Sequence, residues 1–374
     1  MSVKLNFSVQ NMPMSKATKY FGRATPDAIN FSIGEPLFSP PDCAKSAYVK
    51  AINEGYNKYA PIQGFSDLRE KISEKLKSEN GIEASPEEII VTNGATEAIG
   101  YSILSLVDKG DEVITCEPDY PIVDPMVSYC GGRSVPLALK EENSFQIDLE
   151  ELKNAVTQKT KLVVINTPHN PTGAVFPKNT LKAISEICDC AIISDEVYEK
   201  IIYEGSHTSI ASVTDKPENV ITINSFSKSY CMCGYRVGYL HAQRSLIERM
   251  LHLKLYLSNC VNAPTQKAAC AALDDKEFPK KLRSEFLERR DALMGGFKKI
   301  GIECVSPKGA FYAFPNISGW GTDTEVYEML LKAGVVTMPG RIFSEFHKEH
   351  VRFSFVCGKD DINKGIGRME SCLK

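Results

Sequence analysis

Lys228 stands in the run Asn224-Ser-Phe-Ser-Lys-Ser-Tyr230, just after a short apolar stretch at 220–223. Lysines are ordinarily solvated surface residues. The neighbours of this one are apolar and hydroxyl side chains, with no run of charges to mark a wet face. A desolvated lysine has its pKa lowered and becomes a nucleophile, so the placement points to an amine kept for covalent chemistry. Eight residues on, Arg236 offers a planar guanidinium fork suited to phosphate or carboxylate, followed by another apolar stretch at 237–240. Upstream, Gly94-Ala95-Thr96 lies between an apolar run and a helical pattern, a junction whose backbone N–H groups form an anion site. That turn is neither Gly-x-Gly-x-x-Gly nor a P-loop, so dinucleotide and nucleoside triphosphate readings lose support.

A frame must hold these groups together. Continuous apolar runs at 89–92, 112–116, 134–139, 162–166, 191–195 and 220–223 read as strands buried on both faces of a mostly parallel sheet. Helical patterns at 96–107, 122–130, 148–156 and 179–188 alternate with them, which makes this an α/β arrangement. Ser85-Pro-Glu-Glu88 is a capping box, and Asp148 is placed to cap a helix. Ligands in such sheets gather beyond the C-terminal strand ends. Those ends carry Gly94 to Thr96, Tyr120, Asn170, Asp195 to Tyr198, and Ser225 to Lys228.

At 374 residues the chain is long enough for two domains. We expect an N-terminal arm at 1–44, containing a strand at 29–36 and a short helix at 15–21, and a large α/β domain at 45–275. A smaller α+β domain at 276–374 takes up the arm. Its elements are a helix at 278–300 with Arg289, Arg290, Lys298 and Lys299 on its solvent side, strands at 302–305, 310–314, 335–338 and 351–355, and helices at 323–333 and 360–374. His347 and His350, beside Lys348 and Glu349, read as a solvated helix face and not as a ligand pair.

A net charge of −3 gives no electrostatic case for nucleic acid or an anionic membrane. No stretch approaches the roughly 18 apolar residues of a membrane span, and no signal peptide is evident in the first 21 residues. The twelve cysteines include no Cys-x-x-Cys pair and no histidine at metal-ligand spacing, so we expect a reducing, cytoplasmic compartment and no metal.

Taken together, Gly34-Glu-Pro36, Tyr59-x-Pro-x-x-Gly64, Asn170-Pro-Thr-Gly173, Asp195-Glu-Val-Tyr198, Ser225-x-Ser-Lys228 with Arg236, Gly309-Ala-Phe-Tyr312 and Arg352-Phe-Ser354 form an ordered set. In it the sequence resembles the class I/II pyridoxal 5′-phosphate (PLP) aminotransferases of fold type I, from about Gly34 to the C-terminus. The resemblance implies that Lys228 binds PLP covalently and moves the substrate proton. Asp195 then pairs with the pyridine nitrogen, Tyr198 and Asn170 bond the ring hydroxyl, and Tyr120 stacks on the ring. Gly94, Ala95, Thr96, Ser225, Arg236 and, more weakly, Ser227 hold the phosphate. Arg352, helped by Gly34, grips the substrate α-carboxylate; an arginine on a short apolar strand is not expected to be buried without such an anion. Tyr59 reaches the phosphate of a neighbouring subunit, implying a homodimer.

The implied reaction is a ping-pong transfer of an amino group from an L-amino acid, of aspartate or aromatic type, to a 2-oxo acid. Tyr235, Leu37, Cys231, Cys233 and Tyr120 depart from common family residues around the pocket. No second arginine can be placed against a substrate side-chain carboxylate. Two other readings stay open here: a PLP-dependent carbon–sulfur lyase on the same fold, and a non-catalytic PLP-binding sensor.

Overall fold

The computed structural model describes residues 3–20, 22, 23 and 25–373; the terminal Lys374 and Phe21, which the expected end helices would include, lie outside them. The described residues form twelve strands, in chain order β1 (Ile29–Asn30), β2 (Ile89–Thr92), β3 (Glu112–Glu117), β4 (Arg133–Ala138), β5 (Thr160–Asn166), β6 (Ala191–Asp195), β7 (Val220–Ser225), β8 (Gly238–His241), β9 (Tyr312–Ala313), β10 (Val335–Val336), β11 (Met338–Pro339) and β12 (Val351–Ser354). Seven make the central sheet, ordered β2-β8-β7-β6-β5-β3-β4. Only β8 runs antiparallel to its neighbours, so the expected α/β fold with a mostly parallel sheet is found. The unbroken apolar strands β2 and β7 are buried along their whole length because helices cover both faces.

Register explains how the sheet gathers its polar ends. Asn166 of β5 pairs with Asp195 of β6, and Asp195 pairs with Ile223 of β7. Thr92 of β2 and Ser225 of β7 both pair with Gly238 at the start of β8. The Gly94 turn and the Lys228 turn therefore emerge side by side, although more than a hundred residues separate them. A second, three-stranded antiparallel sheet, β11-β12-β9, carries Arg352, and β1 pairs in parallel with β10.

Local signals act as expected at several ends. Ser85 and Glu88 close a capping box, and the Asp148 side chain accepts from the N–H groups of Glu150 and Glu151. The helix Phe278–Ile300 has the expected bounds.

Other expectations need correction. The segment 302–305 is irregular, 335–338 splits into β10 and β11 in different sheets, and the strand at 29–36 is only two residues long. The short helix at 15–21 is a 3₁₀ turn, Lys16–Lys19. Two helices, Arg244–Leu257 and Ala263–Ala272, fill a stretch where the sequence pattern suggests no element. The second is built on small buried residues, Ala263, Ala268, Ala269 and Ala272, which let it approach the helix Asp42–Asn53 closely but give little apolar periodicity.

Arg289 and Arg290 are not on a solvent face: the Arg289 guanidinium lies 4.2 Å from the Phe38 ring centroid, and that of Arg290 lies 5.0 Å from Tyr203. His347 and His350 are likewise buried, in a turn and not on a helix. His347 Nε2 lies 2.8 Å from the Leu139 carbonyl oxygen, and the His350 ring stacks on Phe314. Both positions are covered by elements remote in sequence, which local charge pattern does not register.

Candidate active site

A cavity of about 400 Å³ opens at the C-terminal edge of the central sheet, between it and the β9–β12 region. Lys228 enters from a short helix, Phe226–Ser229, whose first turn is capped by the Ser225 hydroxyl accepting from the Ser227 N–H. Its Nζ donates to the Gly34 carbonyl oxygen at 2.6 Å and lies 4.0 Å from Cys233 Sγ. Gly34 cannot be replaced without movement there, since a Cβ would sit 2.7 Å from the Tyr312 hydroxyl.

Asp195 lines the same cavity. Buried at the end of β6, it accepts one long hydrogen bond, from the Val197 N–H at 3.3 Å. Desolvation lifts its carboxyl pKa to about 7, aided by the neighbouring Glu196 charge and opposed by the Val197 bond and by Lys228. It is a buried carboxylate with no strong donor, poised for a cation. Tyr198, also buried, shares a 2.9 Å hydrogen bond with Tyr312 Oη.

Arg352 is buried and lies between the rings of Tyr312 and Phe343, at 4.6 and 4.7 Å from their centroids. One Nη donates to Asn170 Oδ1 at 3.1 Å and the other to the Ser32 carbonyl oxygen at 2.6 Å; Nε has no partner among the described residues. Asn170 is itself anchored by its N–H to Asn166 Oδ1 at 2.8 Å. These neutral acceptors leave the guanidinium charge uncompensated, which suits an incoming carboxylate.

At the other end, Ala95, Thr96, Ser225, Ser227 and Arg236 line a polar cup. Arg236 has a left-handed backbone (φ 54°) and donates to the carbonyl oxygens of Cys233 and Asn93 at 2.9 and 3.2 Å. Gly94 has φ 83°, and a Cβ there would come within 2.7 Å of an Arg236 nitrogen. Glycine is what allows the arginine to lie against the turn.

The segment 195–199 is braced from behind. Lys75 pairs with Glu199 and donates to Asn80 Oδ1 at 2.7 Å; Asn80 Nδ2 donates to Glu199 at 2.8 Å. Glu196 accepts from Ser194 and Ser209 and lies 2.7 Å from His207 Nε2. Burial raises the Glu199 pKa, but the charges of Lys75, Lys200 and His207 outweigh it and hold it at about 2. This depressed pKa contributes stability above about pH 4.5 that is lost as pH falls toward 2. We expect Lys75→Met to lower unfolding stability at neutral pH by about 3–5 kcal/mol, since it strands a buried carboxylate. Urea denaturation reads this directly; a change below about 1 kcal/mol would contradict it.

Of the residues singled out from sequence, Lys228, Asp195, Tyr198, Asn170, Tyr120, Gly34, Ala95, Thr96, Ser225, Ser227, Arg236 and Arg352 all line this cavity. Gly94 lies directly against Arg236. Tyr59 is not brought in: it is 87% exposed and borders a separate groove with Tyr48, Tyr56 and Asn262. Asn166, Tyr312 and Phe343, which carry no expected role, also line the cavity. Asn166 could have been found as the end residue of β5, and Tyr312 from the Gly309-Ala-Phe-Tyr312 motif. Nothing in the local sequence marks Phe343.

A sheet-edge cavity lined by a lysine, a buried carboxylate and two arginines is suited to amino-group chemistry on an anionic substrate. The aminotransferase class I and II family model matches residues 26–368. The chain is 38% identical to the probable aspartate aminotransferase of Methanocaldococcus jannaschii over 368 residues, covering 96% of both. It is 36% identical to aromatic-amino-acid aminotransferase 2 of Thermococcus litoralis, covering 92% of both. Among solved structures, a double mutant of the Thermus thermophilus aspartate aminotransferase superposes with a TM-score of 0.95 at 34% identity, over 99% of this chain and 100% of that one. The chain belongs to the aminotransferase class I and II family and is a transaminase.

Proposed function

We propose that this transaminase uses PLP, held between Asp195 and the Arg236 cup, and transfers the amino group of an L-amino acid to a 2-oxo acid in two half-reactions. The observation that carries the reading is Asp195, a buried carboxylate whose one hydrogen bond is long and which lines the same cavity as Lys228. A protonated pyridine nitrogen is the cation it suits. The cup supports the reading at the other end, where Gly94 leaves room only for Arg236 and the helix Ala95–Leu106 begins. Bound PLP supplies an electron sink for the electrons of the substrate Cα–H bond.

The remaining work falls to the side chains. Lys228 Nζ takes the proton from the substrate Cα and returns it. Asp195 keeps the ring nitrogen charged, Tyr198 and Asn170 bond the ring hydroxyl, and Tyr120 covers a ring face. Gly94, Ala95, Thr96, Ser225, Ser227 and Arg236 bind the phosphate. Arg352 fixes the substrate carboxylate from between its two rings, with the Gly34 segment closing over it.

The same reading takes the exposed Tyr59 as a residue that completes the site of a second copy in a homodimer. It also divides the chain into a large domain, 45–275, and a smaller one of 1–44 with 276–374, supported by the pairing of β1 with β10. A reducing cytoplasm suits twelve free cysteines. Among the described residues, no helix is long and apolar enough to cross a membrane.

Relatives are named for aspartate and for aromatic amino acids. Here the apolar lining of the cavity includes Ala17, Ile33, Met338, Ile342 and Phe343, with the Phe343 ring centroid 4.7 Å from the Arg352 guanidinium, and the cations lining the cavity are Lys228, Arg236 and Arg352 alone among the described residues. This favours an aromatic donor over aspartate. Purified protein should absorb in the near-visible range and lose that band on adding donor; kcat/KM should be at least about tenfold higher for phenylalanine than for aspartate. Arg352→Leu should raise KM for donor and acceptor by roughly a hundredfold, about 3 kcal/mol of lost carboxylate binding. A colourless protein would overturn the cofactor, and an aspartate preference the donor class.

A further inference from the structure

Glu97 follows the cup residues immediately, in the first turn of the helix Ala95–Leu106. Its carboxylate folds back on the turn: Oε2 accepts from the Asn93 N–H at 2.7 Å and Oε1 from Asn93 Nδ2 at 2.9 Å. Asn93 in turn gives its carbonyl oxygen to Arg236 at 3.2 Å. Glu97 thus braces both the turn and the arginine that face the proposed phosphate. The brace has an electrostatic cost, because a carboxylate one residue beyond an anion cup repels the anion.

Lys254 offsets that cost. It comes from the helix Arg244–Leu257, and its side chain is 0% exposed. Nζ donates to Glu97 Oε2 at 3.1 Å and to Ser258 Oγ at 3.4 Å, and lies 5.7 Å from the Tyr101 ring centroid. The Tyr101 hydroxyl donates to Glu97 Oε1 at 3.0 Å. Burial pushes the Glu97 carboxyl up, but bonds from Ser258 and Asn93 and the Lys254 charge together hold it below its ordinary range. Glu97 is therefore a standing negative charge, and a fully buried lysine has been placed on it.

We infer that Lys254 is a positioning residue for the cofactor phosphate: by neutralising Glu97, it lets that carboxylate brace the Asn93–Thr96 turn without repelling the anion the turn binds. The inference rests on the PLP reading above. It differs from plain packing in one respect: the pair's net charge must act on PLP and spare pyridoxal, which has the same ring without the phosphate.

The test titrates PLP and pyridoxal into the full chain freed of cofactor, and compares the ratio of their Kd values. Relative to wild type, selectivity for PLP falls at least tenfold in Lys254→Met, rises severalfold in Glu97→Gln, and returns to within threefold in the double variant. Selectivity within twofold of wild type in all three overturns the inference, as does a double variant that loses as much as Lys254→Met. Should Lys254→Met fail to fold, Glu97→Gln and the neutral double variant still decide between these outcomes. A wild type that does not prefer PLP to pyridoxal overturns the cofactor reading instead.

Discussion

Lys228→Ala should reduce transamination by at least about 10⁴-fold. Two losses would combine, because on the proposed reading Nζ both attaches the cofactor and carries the proton at the substrate Cα, and a positioned acid–base group alone contributes roughly 10² to 10⁴. The Nζ position is fixed by the Gly34 carbonyl oxygen at 2.6 Å, and Cys233 Sγ lies 4.0 Å away. Burial and the Ser227 carbonyl oxygen hold that thiol in place, with burial raising its pKa. The variant should still bind PLP, since the Arg236 cup and Asp195 are untouched, so lost turnover with retained cofactor is the diagnostic pair. Turnover above about 1% of wild type would overturn the assignment.

Asp195→Asn should have opposite effects on rate and on stability. On the proposed reading, loss of the charge that would face the ring nitrogen of bound PLP should lower turnover by roughly 10²- to 10³-fold, the scale of removing one preorganised electrostatic partner. In protein freed of cofactor the sign reverses. The carboxyl is raised from 3.8 to about 7 in the folded chain, so the folded state binds this proton more tightly than the unfolded one. Its contribution is favourable below about pH 4, declines as pH rises through 7, and is flat above, a loss on the order of 4 kcal/mol. Asparagine carries no such titration. The cofactor-free variant should therefore melt higher than cofactor-free wild type at pH 8, with the gap narrowing by more than half by pH 5 and closing near pH 4. Parallel melting curves across that range would contradict the burial argument.

How far the sequence reveals this molecule depends on the range of the interaction in question. The strand bounds at 89–92 and 191–195, the Ser85 capping box and the helix Phe278–Ile300 follow from neighbours within a few residues. The alanine-rich helix Ala263–Ala272 did not show, because its packing against Asp42–Asn53 rests on small side chains and not on an apolar stripe. His347, His350, Arg289 and Arg290 were misplaced for a related reason. A charged or titratable side chain reads as solvated until the ring that covers it is known, and here those rings are Phe314, Phe38 and Tyr203.

The chemistry divides along the same line. By themselves, the continuous apolar runs gave the α/β fold class, and the ordered motifs gave the family and singled out Lys228, Asp195, Arg236 and Arg352, which all line one cavity. Tertiary structure alone decided the rest. It placed the Gly94 turn beside Lys228 through their shared partner Gly238, set Phe343 against Arg352, and buried Lys254 against Glu97. The physical reason is that burial and charge compensation are properties of whatever packs on a residue, and in each of these cases that partner lies far away along the chain.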